Sequence, residues 1–163
     1  MKNITDLLGR IFLGFIFIYE AYDSAFYFKD TTDEMIYYGL SWNTDWQLIG
    51  AIILLVLGGT LLLIGYRVQF AVLLLLAYWI PVTFIAHSFW NDPVDCLVNY
   101  PCINLSEDYR RMQSILFVKN LAIIGGLLMV FANGTQRYSI RKLFATARAV
   151  SYTHLTLPTK RIV

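Results

Sequence analysis

Four ionisable side chains stand inside stretches of this sequence that are otherwise almost uniformly apolar: Glu20, Asp23, His87 and Lys119, the last followed directly by Asn120. A charge at the centre of a bilayer costs roughly 2.5 to 3.5 kcal/mol on insertion scales, so such groups face one another or a wet cavity and mark ion, proton or ligand sites. Carboxylates near a lysine can hold a polar headgroup or relay protons, and histidine adds the one side chain whose unperturbed titration falls near neutrality. The plainer alternative is structural. Lys119 then snorkels to the outer interface beside a buried ion pair with Glu20, His87 makes an interfacial hydrogen bond beside Trp90, and the protein keeps its fold without an activity.

The elements that position these groups are membrane-length helices. From Met112 to Asn133 the chain runs for 22 residues with Lys119 as the one charge, which at ~1.5 Å per residue spans ~33 Å, enough for a ~30 Å hydrocarbon core. Apolar residues surround this helix on every side, as in a span or a fully buried core helix. Composition decides between the two: 58% hydrophobic and 15% charged residues in 163, with mean hydropathy +0.57, leave too little polar surface to cover a small soluble domain. The expectation is therefore an all-α integral membrane four-helix bundle, a single domain over residues 1–149, with spans at about 7–28, 46–66, 68–89 and 112–133. The first span is too polar, and too far from a small-residue cleavage motif, to be a signal peptide.

Few residues around Gly65 and Arg67 separate the second and third spans, which requires a tight antiparallel hairpin. Pro81 lies within the third span, where a missing amide donor can kink a helix. Residues 29–45 and 91–111 form acidic, aromatic loops. Basic residues near the span ends favour both termini inside (N-in, C-in), with Lys2, Arg10, Arg67, Arg137, Arg141, Lys142 and Arg148 inside against Lys29, Arg110 and Arg111 outside.

In that orientation Glu20, Asp23, His87 and Lys119 fall within ~3 to 12 Å of the outer boundary, and Glu20 and Lys119 stand nearly level, so the two are expected to pair, with Asp23 the alternative partner. Gly58, Gly59, Gly125 and Gly126 lie at matching depth in parallel spans, which suits close helix packing more than chemistry. Cys96 and Cys102 occupy the outer loop, where a disulfide persists; a structural pin is favoured over a redox-active pair.

Several classes are excluded by what the sequence lacks. No paired-cysteine zinc spacing occurs and no metal site is expected; there is no glycine-rich phosphate loop or nucleophile motif, so no catalytic motif of the chain's own. A net charge of +2 without a basic, aromatic-interleaved run gives no reason to expect nucleic acid as a partner. With no haem ligand pair or flavin motif, no intrinsic cofactor is expected.

Arg10-x-x-Leu13-Gly14, then Gly58-Gly59-x5-Gly65-x-Arg67, then His87-x-Phe89-Trp90, then Gln113-x3-Phe117-x-Lys119-Asn120-x-Ala122-x2-Gly125-Gly126 together resemble the DoxX family of small four-span membrane proteins. The resemblance covers roughly Arg10 to Asn133, and the K-N-x-A-x2-G-G element is its most specific part. It implies a four-helix bundle of the cell (inner) membrane, associated with membrane redox or oxidative-stress systems, in which any redox cofactor is quinone or belongs to a partner, the partners besides the bilayer being a redox partner subunit or a second copy. The sequence departs from the common pattern at Leu55, where an acid is often found, and at Glu20 and Asp23, where many members have glycine and lysine. Two function classes follow: an accessory or quinone-linked subunit of a membrane redox system, and a small-molecule or proton-coupled transport protein using an outer charged pocket. Val150 to Thr159 resembles the in-frame translation of a transposon-end sequencing adapter, so residues 150–163, including His154, are set aside as a non-native tail.

Overall fold

The computed structural model describes residues 2–90 and 105–134. Among them are five helices: α1 (Lys2–Phe26), α2 (Phe28–Tyr37), α3 (Thr44–Ile64), α4 (Val68–Ala86) and α5 (Leu105–Asn133). Three segments are long and apolar enough to cross a membrane, Thr44–Ile64, Val68–Ala86 and Asp108–Asn133. Helix α1 has the length but carries more charge, and its charge is segregated. Arg10, Gly14, Phe17, Ala21 and Ser24 are buried along one face, while Ile4, Leu8, Ile11, Phe15, Tyr19, Tyr22 and Phe26 are exposed along the other. The exposed residues follow the i, i+3, i+4 rhythm of one helix stripe.

The helices pack in the order α1, α3, α4, α5, with α1 seated mainly on α3 and touching α5 more sparsely. The α1–α3 crossing is made by glycine. A Cβ on Gly14 would lie 2.6 Å from Leu63 Cγ and 3.2 Å from the Gly59 carbonyl, and one on Gly59 would meet Ile18 at 3.1 Å and the Gly14 carbonyl at 3.3 Å. On the neighbouring face of α3, a Cβ on Gly58 would lie 2.7 Å from Leu75 of α4. Gly126 faces Leu13 at ordinary contact distance, whereas a Cβ on Gly125 would meet nothing within 4 Å. The four glycines thus serve different surroundings: Gly58 and Gly59 lie at tight crossings, and Gly125 does not.

The α3–α4 turn follows from Gly65, which takes φ +70°. Gly65 N–H donates to Leu62 O and Tyr66 N–H to Leu61 O, the paired bonds of a Schellman ending, which needs a left-handed residue that glycine adopts without strain. Arg67 also takes a left-handed conformation, φ 45°, and α4 begins at the next residue. The core formed by this arrangement contains Phe17, Leu55, Leu62, Val72, Leu75, Trp79 and Leu127, with Phe17 and Trp79 edge to face at 5.1 Å.

Three expectations need correction. Residues 29–45 are not simply loop, because the acidic segment winds into α2, which packs against α3 and α1. Hydropathy alone does not reveal such a short polar helix. Helix α4 continues through Pro81 and ends at Ala86, so His87 lies just past it instead of within a span. Helix α5 begins at Leu105, about two turns before the apolar run, because its first turns are polar. Cys96 and Cys102, and the tail with His154, lie outside the described residues.

The glycine geometry makes a differential prediction. Alanine raises helix propensity by up to ~1 kcal/mol over glycine, but overpacking costs ~1 to 3 kcal/mol. Gly14→Ala and Gly58→Ala should therefore lower the melting temperature in detergent, while Gly125→Ala should leave it unchanged or raise it.

Candidate functional site

The polar residues gather at two ends of the bundle. At the end formed by the α3–α4 turn, Arg10 is wholly buried; its Nε donates to Asp6 Oδ2 at 3.2 Å and its Nη1 to the Leu62 carbonyl at 3.4 Å. The Leu62 carbonyl belongs to the last turn of α3, where unpaired carbonyls and the helix dipole favour a cation. This is a structural anchor of α1 on α3, with the guanidinium satisfied by a carboxylate and a carbonyl.

The opposite end carries a different arrangement. Gln113, buried near the start of the apolar part of α5, accepts from His87 Nδ1 at 2.6 Å. Its Nε2 donates to the Tyr109 hydroxyl at 2.8 Å and to the Tyr38 hydroxyl at 3.3 Å, and the two hydroxyls lie 3.0 Å apart. With Gln113 Oε1 taken by Nδ1–H, the lone pair of neutral His87 is on Nε2. Tyr109 and Gln113 are one turn apart on α5, Tyr38 follows α2, and His87 follows α4, so one amide gathers three elements. Arg110 Nε also donates to the Phe89 carbonyl at 3.0 Å. Phe117 packs edge to face against Phe84, Phe89 and Trp90 below this network.

Carboxylates adjoin it. Glu34 of α2 is held above the ordinary carboxyl value, first by partial burial and then by Asp30 and Asp23, with His87 partly opposing them. Glu20 interacts electrostatically with Asp23 and Glu34 and with the hydroxyl of Tyr78 on α4. The acids of α1 and α2, His87 and Tyr78 therefore form one electrostatic group. Trp79 beside Tyr78 is 5% exposed, and its indole Nε1 is a buried donor without a hydrogen-bond partner. An unmatched buried donor costs on the order of 1 to 3 kcal/mol, and an acceptor placed there would recover it.

Of the residues singled out from the sequence, Glu20 and Asp23 lie about one turn apart on α1 and His87 follows α4, with Glu34 of α2 interacting electrostatically with both Asp23 and His87. Asn120 is buried two turns below Gln113 on the same face of α5, while its neighbour Lys119 is exposed on the outside of the bundle. The expected Lys119–Glu20 ion pair is not formed; among the described residues, the ion pair within 4 Å is Arg10–Asp6. The reason is angular. Successive residues on a helix are rotated by ~100°, so when Asn120 faces inward Lys119 is carried to the flank. No group of three or more metal-ligating side chains occurs among the described residues. A separate groove of about 540 Å³ between α2 and the start of α3, lined by Lys29, Asp33, Asp45 and Trp46, shares no residue with the His87 network.

Sequence reasoning missed Gln113 as a hub, the two tyrosines and the Arg10–Asp6 pair. The i, i+4 spacing of Asp6 and Arg10 was a usable signal. Gln113, the last polar residue but one before the apolar run, was another. Tyr38 offered none, since its segment did not read as a helix.

Two outcomes follow. Gln113→Leu should cost ~1 to 3 kcal/mol of stability by orphaning His87 and the tyrosine hydroxyls, measured by thermal unfolding in detergent. For Glu34, a folded-state pKa above the ordinary 4.5 means the folded protein binds more protons. Its contribution is full below that value and is lost as pH rises through the raised one. Glu34→Gln should thus stabilise the protein at neutral pH relative to acid, by roughly 0.5 kcal/mol or less because the side chain is substantially exposed.

Residues 5–88 match the DoxX family. The chain is 26% identical over 137 residues to the Surfeit locus protein 4 homolog of Drosophila melanogaster, covering 82% of this chain and 38% of that protein. It thus spans well under half the length of that relative. No solved structure matches. A family match across more than half its residues, joined to three helices of membrane length, identifies this chain as a membrane protein of the DoxX family.

Proposed function

We propose that this DoxX protein is an accessory, quinone-linked component of a membrane redox system of the cell (inner) membrane, and that the His87–Gln113–Tyr109–Tyr38 network is its ligand site. The observation that carries this reading is the buried Gln113 amide, which holds an imidazole and two phenols together, with the Glu34 carboxylate interacting electrostatically with the imidazole. Quinone carbonyls accept hydrogen bonds, and the tyrosine hydroxyl pair offers a donor, while the lone pair on His87 Nε2 can accept from the hydroxyl of a reduced quinol. Bound quinone would supply two-electron redox chemistry, with electrons delivered by a partner subunit, since the chain has no electron-carrying motif of its own. What these residues supply is recognition, and carboxylate and imidazole groups able to give or take the protons that accompany electron transfer.

The same reading takes α1 as a fourth span. Its exposed stripe from Ile4 to Phe26 is uncharged and aromatic-rich, and its charges lie on the other face or its flanks. The exposed rings of Trp42, Trp46 and Trp90 suit a membrane interface at the α2 end, and the basic-residue bias favours that end outside. Labelling of single cysteines at Asp33 from the outside and at Arg67 from the inside is the expected topology result; the reverse pattern overturns the orientation.

The decisive test is quinone carried by protein purified in native-lipid discs. Wild type should retain quinone, and His87→Phe and Gln113→Leu variants that remain folded should lose most of it. Equal retention by all three removes the reading. A second reading, proton-coupled transport, is favoured by one observation: the acids extend from Glu20 within α1 to Glu34 in α2 as an electrostatically connected series. A pH-driven flux in vesicles that vanishes in Glu20→Gln, in protein without bound quinone, would select it.

A further inference from the structure

We infer that the bundle holds a second polar site in its core, between Trp79 of α4 and Asn120 of α5, which binds the oxygen of a neutral hydrogen-bond acceptor: an internal water or the carbonyl of a lipid-soluble guest. Two buried side chains carry this. The Trp79 indole Nε1 is enclosed and has no hydrogen-bond partner. Asn120 is 8% exposed, and its amide has no partner among the described residues, whereas the Gln113 amide on the same face is fully used. Inside a bilayer, where bulk water is not at hand, unmatched groups of this kind are costly.

The two groups share a level and a core. Gln113 meets His87 and Phe117 meets Phe84, so α5 runs antiparallel to α4 with those residues in register. Carried on by three residues, that register sets Asn120 beside Pro81, with Trp79 ~3 Å deeper. Ile123 and Ile124, one turn beyond Asn120, pack against the cluster that contains Trp79, and Phe17 of α1 meets the Trp79 ring edge to face at 5.1 Å. On the α1 side, Leu13 faces Gly126. Seven residues further along α1, Glu20 comes to about the height of Asn120, and its carboxyl interacts electrostatically with the Tyr78 hydroxyl.

The chemistry of these groups selects the occupant. An indole nitrogen only donates, so the occupant must accept; the Asn120 amide can donate to the same oxygen, or accept from it when it is a water. The Glu20 carboxyl disfavours an anion at this level, and the indole N–H disfavours a cation. A neutral oxygen satisfies both sides, and a buried water of this kind ordinarily makes about three hydrogen bonds. Contacts between α1 and α5 are sparse, which leaves a path for a guest from the bilayer. The site lies ~10 Å deeper than Gln113 and is independent of the ligand proposed there.

The test is proton–nitrogen spectroscopy of protein in lipid discs with labelled indole nitrogens, the Trp79 signal being the one lost in Trp79→Phe. The Trp79 indole proton should appear downfield, as hydrogen-bonded, and move upfield in Asn120→Leu, while Asn133→Leu at the far end of α5 leaves it in place. In quinone-free discs a cross-relaxation contact with water identifies water as the occupant. A contact with added ubiquinone-1 that replaces it identifies the guest carbonyl. An unbonded Trp79 shift under both conditions overturns the inference, as does a shift unchanged in Asn120→Leu of unaltered melting temperature. A bonded indole in contact with neither water nor guest also overturns it, since the bond then runs directly to the protein.

Discussion

Arg10 is fully buried, and the groups around it determine how α1 can sit in the bundle. A guanidinium cannot shed its charge, so burial is tolerable only where acceptors wait for it. Asp6 supplies one from a turn away, and the last turn of α3 supplies another through the Leu62 carbonyl. The Leu62 bond crosses to α3 and sets the rotation and depth of α1 against it, while Asp6, on α1 itself, holds the guanidinium in place for that bond. Once that rotation is set, Gly14 meets Gly59, Phe17 meets Trp79, and Glu20 is carried towards Tyr78 and the α2 acids. The apolar and aromatic stripe from Ile4 to Phe26 is left facing outward. A single buried cation thus sets how the most polar of the long helices is turned in the bundle.

The two ends of the bundle use polarity differently. At the Arg10 end every described feature locks: a charged pair, a capped helix terminus and a left-handed glycine turn. At the other end the polar groups are neutral donors and acceptors around Gln113, joined to carboxylates whose charge can change. Such groups cost stability unless satisfied, and in the core between the two ends the Trp79 indole is a donor left unmatched. Rigid anchoring at one end with adaptable chemistry at the other is consistent with a site that exchanges protons or ligands.

Much of this was legible in the residues. Long apolar runs located α3, α4 and α5, because some twenty such residues in sequence are the length of a helix that crosses a bilayer. Glu20, Asp23 and His87 stood out because charge beside or within such runs is costly, and Glu34 of α2, which interacts electrostatically with both Asp23 and His87, did not stand out at all. Lys119 stood out for the same reason and misled, since cost says that a lysine needs a solution without saying which side of the helix provides it. Its one-residue offset from the buried Asn120 decides the matter, and that offset is a tertiary fact. Tyr38 could not be foreseen, because α2 is short, polar and held by packing on α3 more than by its own propensity.

The claim at the centre of this account is that ligand binding and carboxylate protonation share the site around Gln113. Infrared difference spectroscopy of the carboxylic acid carbonyl band, recorded on adding quinone to protein in lipid discs, tests it directly. The account predicts a ligand-induced change in that band which is abolished in Gln113→Leu and altered in both Glu20→Gln and Glu34→Gln. A band that does not respond to quinone, or responds identically in all four proteins, would contradict it.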